Sequence, residues 1–102
     1  EHEHDDEVGS IAIECIGDVD PEKMNSWMSR LLSEKGVDIY RTKGFISYKG
    51  SNKRIVFQGV HMLFTAQPDK EWGNEIRRNQ LVFIGRNLDE DQMRIDFKKC
   101  LV

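Results

Sequence analysis

At 102 residues, with 38% hydrophobic and 32% charged side chains, the chain has the size and mix of one soluble globular domain, and no apolar run approaches the ~18 residues of a membrane span. Its net charge of −3 sits at the start: residues 1–7 hold five acids and no Lys or Arg, leaving 13 acids against 15 bases from Val8 onward, a balance that excludes the basic footprint of a nucleic-acid binder. Cys15 and Cys100 stand far apart without a Cys-x-x-Cys, which excludes a disulfide framework and a thiolate zinc site and points to a reducing, intracellular setting.

Residues 1–7 (EHEHDDE) have no large apolar side chain and are expected to be a linker, with the domain running over 8–102. The absence of an initiator Met is read as the mark of a piece of a longer protein. From Ser10 to Ile16, Ile11, Ile13 and Cys15 share one face, the period of a strand. Asp20-Pro21-Glu22 has the chemistry of a helix start: a capping carboxylate, a proline whose missing N–H costs nothing, and an acid at the positive end of the dipole. Met24, Trp27, Met28, Leu31 and Leu32 then form one apolar stripe, and Gly36 is placed for a left-handed cap.

Residues 37–49 are expected to form a long strand with a bulge at Gly44, and 50–53 a short connection. Residues 54–66 return as a third strand whose apolar phase changes near Gln58-Gly59, predicting a bulge at Gly59. Residues 67–79 are polar and read as a loop carrying Trp72, a packed lid or an interface anchor. Leu81-Val-Phe-Ile84 has the apolar run of a buried strand, and Asp89 with Gln92 resembles a capping box before the stripe Met93, Phe97, Cys100 and Leu101. The order β-α-β-β-β-α predicts an α+β fold: a two-layer open-faced sandwich with an antiparallel four-stranded sheet and two helices on one face.

Catalytic patterns fail one after another. There is no phosphate loop, no Gly-x-Gly-x-x-Gly and no nucleophile elbow, so no catalytic residue is expected. Metal-ligating chemistry rests on His2 and His4, at i and i+2 among carboxylates, and more remotely on His61, which is placed on a strand. The ordinary reading of the first two is a solvated, charged linker; of His61, a hydrogen-bonded strand residue. Any thiol–imidazole pair outside the first seven residues has to use His61, and nothing in the sequence recommends a Cys15–His61 dyad. Arg41, Lys43, Lys49, Lys53 and Arg54 form a basic group on the second and third strands. It is either a plain exposed hairpin surface or a contact for acidic partner groups. Arg41, Lys43, Gln58 and Trp72 are the expected interaction residues.

The series Tyr40-Arg-Thr-Lys-Gly-Phe45, Val56-Phe-Gln-Gly-Val-His61, Trp72, Leu81-Val-Phe-Ile-Gly85, then Asp96-Phe97 and Cys100-Leu101, resembles the C-terminal domain of CobW-type proteins over roughly residues 8–102. The His- and acid-rich lead and the Asp-Pro-Glu helix start match as well. Proteins of this family are two-domain P-loop GTPases whose N-terminal domain carries the nucleotide site and a Cys-x-Cys-Cys metal motif. They deliver or insert metals, zinc included. The resemblance implies GTP, Mg and Zn for the parent protein and no cofactor for this chain. It also implies the GTPase domain of the same protein and a metalloprotein client as partners, no nucleic acid or membrane, and a cytoplasmic or plastid location. The role it implies for this chain is docking to the GTPase domain, recognition of the client protein, or both.

The rival readings are stand-alone modules binding RNA or a small ligand on the sheet. Lys43-Gly-Phe-Ile-Ser-Tyr48 partly mimics an RNA-binding RNP1 strand. Ile46, however, stands where that pattern needs a small residue, and the first strand has no aromatic to stack a base.

Overall fold

In the computed structural model, which describes residues 8–102, the chain runs β1 (Gly9–Ile16), α1 (Pro21–Lys35), a 3₁₀ turn (Gly36–Asp38), β2 (Ile39–Ile46), β3 (Lys53–Val60), β4 (Leu63–Glu71), β5 (Arg78–Gly85) and α2 (Glu90–Lys98). The expected linker, with His2 and His4, lies outside the described residues. The strands form one antiparallel sheet in the order β1-β5-β2-β3-β4. The α+β class and the two helices agree with expectation; the sheet has five strands rather than four.

The extra strand, β4, runs Leu63–Glu71, from the end of the expected third strand into the segment 67–79 that was expected to be a loop. No bulge occurs at Gly59, which pairs regularly with Thr42 on one side and Phe64 on the other. The chain instead reverses at His61-Met62, with His61 at φ 57. Val60 then faces Leu63, so from Ile55 to Gly59 every odd-numbered residue of β3 meets an even-numbered one of β4. The change of apolar phase was therefore the trace of a hairpin. Gly59 is needed because a Cβ there would lie 2.0 Å from the Phe64 ring.

Two further expectations are corrected. The sheet irregularity on β2 falls between Ile39 and Arg41 rather than at Gly44. Gly36 takes a right-handed conformation (φ −56, ψ −38) and leads into the 3₁₀ turn. Packing accounts for it, since a Cβ would sit 3.0 Å from the Met62 side chain.

Both helices cover one face. Asp20 caps α1 by accepting from the Glu22 N–H at 2.9 Å, and Met24, Trp27, Met28 and Leu31 are the buried stripe. Asp89 caps α2 by accepting from the Gln92 N–H at 3.1 Å. The Gln92 side chain does not close the box; it donates to Asp96 at 2.9 Å. Trp27 is the hub of the layer, its ring edge-on to Phe83 of β5 (6.2 Å) and to Phe97 of α2 (6.0 Å). Such pairs contribute about 0.5–1.5 kcal/mol beyond the area they bury.

A buried polar staple ties the loops at one end of the sheet. Asn79 accepts from the Ser47 N–H at 2.7 Å and donates to the carbonyls of Cys15 (3.2 Å) and Gly17 (3.0 Å). Beside it, Asp18 accepts from Ser47 Oγ at 2.7 Å and from Arg77 Nε at 2.8 Å. Arg77 also reaches the carbonyls of Tyr48 and Ser51, at 2.9 and 2.6 Å. These bonds, from Arg77 first and then from Ser47, hold the Asp18 carboxyl below its ordinary value of 3.8.

A carboxyl lowered in the folded state adds stability above its unfolded pKa and loses it as pH falls through the folded value. Asp18→Asn is therefore expected to cost about 1 kcal/mol at pH 7, a figure discounted for the carboxylate's partial exposure. As pH falls through the folded value, which lies below 3.8, the difference should close, since both side chains are then neutral. Urea midpoints of the two proteins, followed from pH 7 into that acid range, check this. A gap that persists unchanged in acid contradicts it.

Candidate functional site

The helices leave the other face of the sheet open, and the registers fix what it displays. Because side chains alternate along a strand, residues paired across the sheet line up in rows on one face. One row runs Ser10, Ile84, Arg41, Val60, Leu63. The next runs Ala12, Val82, Lys43, Gln58, Thr65, and the third Glu14, Gln80, Phe45, Val56, Gln67. β2 is the middle strand, so Arg41 and Lys43 stand at the centre with aliphatic side chains on either hand. Shallow hollows flank them: about 300 Å³ bordered by Val56, Gln58 and Val60, and about 120 Å³ bordered by Val82 and Ile84.

Beyond the third row the face ends in an aromatic and cationic corner. The Phe45 ring has the guanidinium of Arg54 at 4.8 Å and that of Arg78 at 5.0 Å from its centroid. Trp72 stands edge-on to Phe45 at 6.2 Å, with Arg77 at 5.8 Å from its own ring. Arg54 is ion-paired with Asp69, whose carboxyl is lowered by that bond. The indole N–H of Trp72 has no hydrogen-bond partner among the described residues.

Of the expected interaction residues, the fold brings Arg41, Lys43 and Gln58 together on the open face. Trp72 is only 4% exposed, so of its two expected roles the packed one describes it. Arg54 joins the open face. Lys49 lies in the turn after β2, and Lys53 opens β3 opposite Glu71 with the reverse orientation to Arg54. Arg78 was missed because its segment is polar and resembles a loop. It begins β5 next to Asn79 and pairs with Ile16.

The metal expectations meet little support in the described residues. His61 is an exposed turn residue rather than a strand one, with its ring 5.9 Å from Tyr40. Cys15 lies on the far edge strand, near the opposite end of the sheet, so the Cys15–His61 pair does not assemble. Burial raises the thiol pKa of both Cys15 and Cys100, the reverse of what activates a thiolate. No three His, Cys, Asp or Glu side chains among the described residues are placed to hold an ion.

Two other hollows lie on the helix side. One, about 520 Å³ between α1 and α2, mixes Glu22 and Asp96 with Lys23, Arg30 and Lys99 and favours neither sign. The other, about 260 Å³, runs beneath β4 along Met24, Met28, Leu32 and Phe64. Of the aromatics in the RNP1-like stretch, only Phe45 is on the open face, since Tyr48 packs on Phe57 at 6.4 Å. A base would find a single ring there, already flanked by two guanidiniums.

Residues 8–101 match the model of the cobalamin synthesis protein cobW C-terminal domain. Among curated proteins the chain is similar to the zinc chaperone YjiA of Escherichia coli (strain K12), 35% identical over 91 residues, which is 89% of this chain and 29% of that protein. Among solved structures it is similar to the Zn(II)-bound YjiA GTPase from E. coli and to a Zn(II)-bound triple mutant of it. Each gives a TM-score of 0.89 at 34% identity over 93% of this chain and 30% of the other. The chain thus spans about three-tenths of the length of these relatives.

Proposed function

The chain belongs to the cobW C-terminal domain family, and from that premise we propose that it is the accessory domain of a GTP-dependent metal chaperone, with zinc as the cargo, and that it docks on the GTPase domain of its parent protein through the open face of its sheet. The relatives named as a zinc chaperone and a Zn(II)-bound GTPase support the parent's activity. GTP, magnesium and zinc would then be bound by the rest of that protein. The free thiols of Cys15 and Cys100 support a reducing compartment.

The observation that carries the docking role is the composition of the open face. Ile16, Val60, Leu63 and Ile84 are exposed there, around Arg41, Lys43 and Arg78, which have no counter-ion among the described residues. Five strands about 4.8 Å apart and eight residues long at about 3.3 Å each give a surface of roughly 600 Å². That is the size per side of an ordinary inter-domain contact.

Calorimetry with this chain and the separately expressed GTPase domain tests it. Saturable one-to-one binding is expected, with an affinity that changes between GDP and a non-hydrolysable GTP analogue. A micromolar affinity suffices, because a short linker holds tethered domains at roughly millimolar effective concentration. No binding at about 100 μM partner would remove the docking role.

A further inference from the structure

The arginines of this chain divide in a way that singles out one corner of the open face. Arg30, Arg77, Arg86 and Arg94 each have a carboxylate oxygen within 3.8 Å, and Arg54 has Asp69. Arg41 and Arg78 have none among the described residues, and both stand on the open face. Lys43, between them on that face, is likewise unpaired. A lone exposed cation means little. Here the unneutralised arginines gather on the one uncovered layer, among aliphatic side chains.

Arg78 differs from Arg41 in being held. Its guanidinium lies 5.0 Å from the Phe45 centroid, and Phe45 is itself fixed by Trp72 at its edge. Arg54 approaches the same ring at 4.8 Å, but its charge is taken up by Asp69 through both Nε and Nη2. Two cations share one ring, and among the described residues only Arg54 has its counter-ion. The stack restricts the planar fork of Arg78 before any partner arrives, so less side-chain freedom is lost when it binds. A planar fork of N–H donors fits a carboxylate through two parallel hydrogen bonds, which a lysine cannot reproduce.

We propose that Arg78, laid on Phe45, is the anchor of the docking face. It takes an Asp or Glu carboxylate from the GTPase domain, while Arg41 and Lys43 meet further acidic side chains around an apolar centre. The inference rests on the docking role proposed above. It commits the covering surface to one chemistry: apolar in the middle, acidic at the positions facing Arg41, Lys43 and Arg78.

The test measures binding of the GTPase domain by calorimetry for the unaltered chain and for Arg78→Lys, Arg78→Ala, Phe45→Leu and the pair Arg41→Glu with Lys43→Glu. Thermal melts establish that each variant is folded. Arg78→Lys is the decisive variant, because it keeps the charge and removes the fork and the stack. Loss of about tenfold in affinity is expected for it, close to the loss for Arg78→Ala, together with weakening as salt is raised. The Arg41→Glu, Lys43→Glu pair should lose more, through repulsion as well as lost attraction.

If Arg78→Lys binds like the unaltered chain, the anchor is refuted while docking stands. If the unaltered chain fails to bind, the docking role fails and the anchor with it. If sedimentation shows instead a dimer of this chain that Arg78→Lys dissociates, the face is occupied by a second copy and the committed partner is wrong.

Discussion

Gly44→Ala is expected to destabilise the domain by about 3–5 kcal/mol, enough to unfold much of it at room temperature. Gly44 has φ 152, and a Cβ there would lie 1.9 Å from the Gln80 carbonyl oxygen and 2.8 Å from the Leu81 Cα. Those are backbone atoms of β5, so no side-chain rotation relieves the clash. The position is also the worst available. β2 is the middle strand, and pushing it from β5 separates β1 and β5, with their share of the core, from β3 and β4. Gly50→Ala is the control: its φ is 88 but nothing lies within 4 Å of the added carbon, so it carries only backbone strain of about 1–2 kcal/mol. Urea unfolding followed by circular dichroism compares the two. Equal losses would mean that β5 does not approach β2 as closely as described.

The second large effect is expected at Asn79, the polar residue at the centre of the loop staple. Asn79 is 1% exposed and satisfies the Ser47 N–H and the carbonyls of Cys15 and Gly17 with one side-chain amide. Asn79→Ala leaves the buried Ser47 N–H without its partner and removes a hydrogen bond from each of the half-buried Cys15 and Gly17 carbonyls. The unpaired buried N–H costs about 1–3 kcal/mol and each lost carbonyl bond about 0.5–1.5 kcal/mol, an expected total of about 2–4 kcal/mol. Asn79→Asp should be no better, because a carboxylate cannot donate to the two carbonyls and would face them with a negative charge. Hydrogen exchange gives a local check: the Ser47 amide should lose protection in Asn79→Ala by more than the global loss of stability accounts for. An unchanged Ser47 rate relative to the core would contradict the staple.

Local chemistry made part of this fold legible. Asp20 and Pro21 marked the start of α1, and its stripe is buried at Met24, Trp27, Met28 and Leu31 as spacing required. The two-residue period of Ile11 and Ile13 placed β1 with its core face correct. β4 was hidden for a physical reason: it is an edge strand, almost entirely exposed, and an edge exerts no pressure for alternation. Pro68 within it adds a loop signal that an edge tolerates, since its missing N–H can point away from β3. Gly44 and Gly59 both looked like bulges. What each needs is close approach by another strand or side chain, and one sequence does not distinguish the two.

The site was legible to the same depth. Arg41 and Lys43 stood out as part of a basic cluster and Gln58 as part of the motif series, and the β2–β3 register sets all three on one face. Arg78 did not, because its significance depends on pairs made across the fold. It stacks on Phe45, from β2, and it lacks the carboxylate that Asp69, from β4, gives to Arg54. Long-range neutralisation of charge leaves no mark on local spacing. Trp72 was visible as unusual, but its burial against Phe45 depended on β4 existing.

The central claim is that the open face, not the helical layer, meets the GTPase domain. An ¹⁵N-labelled sample of this chain, titrated with unlabelled GTPase domain and followed by amide chemical shifts, tests it most directly. The predicted result is a footprint on Arg41, Lys43, Gln58, Arg78, Val82 and Ile84, with the exposed surfaces of α1 and α2 unmoved. A footprint centred on the two helices, with the rows around Lys43 unchanged, would contradict it.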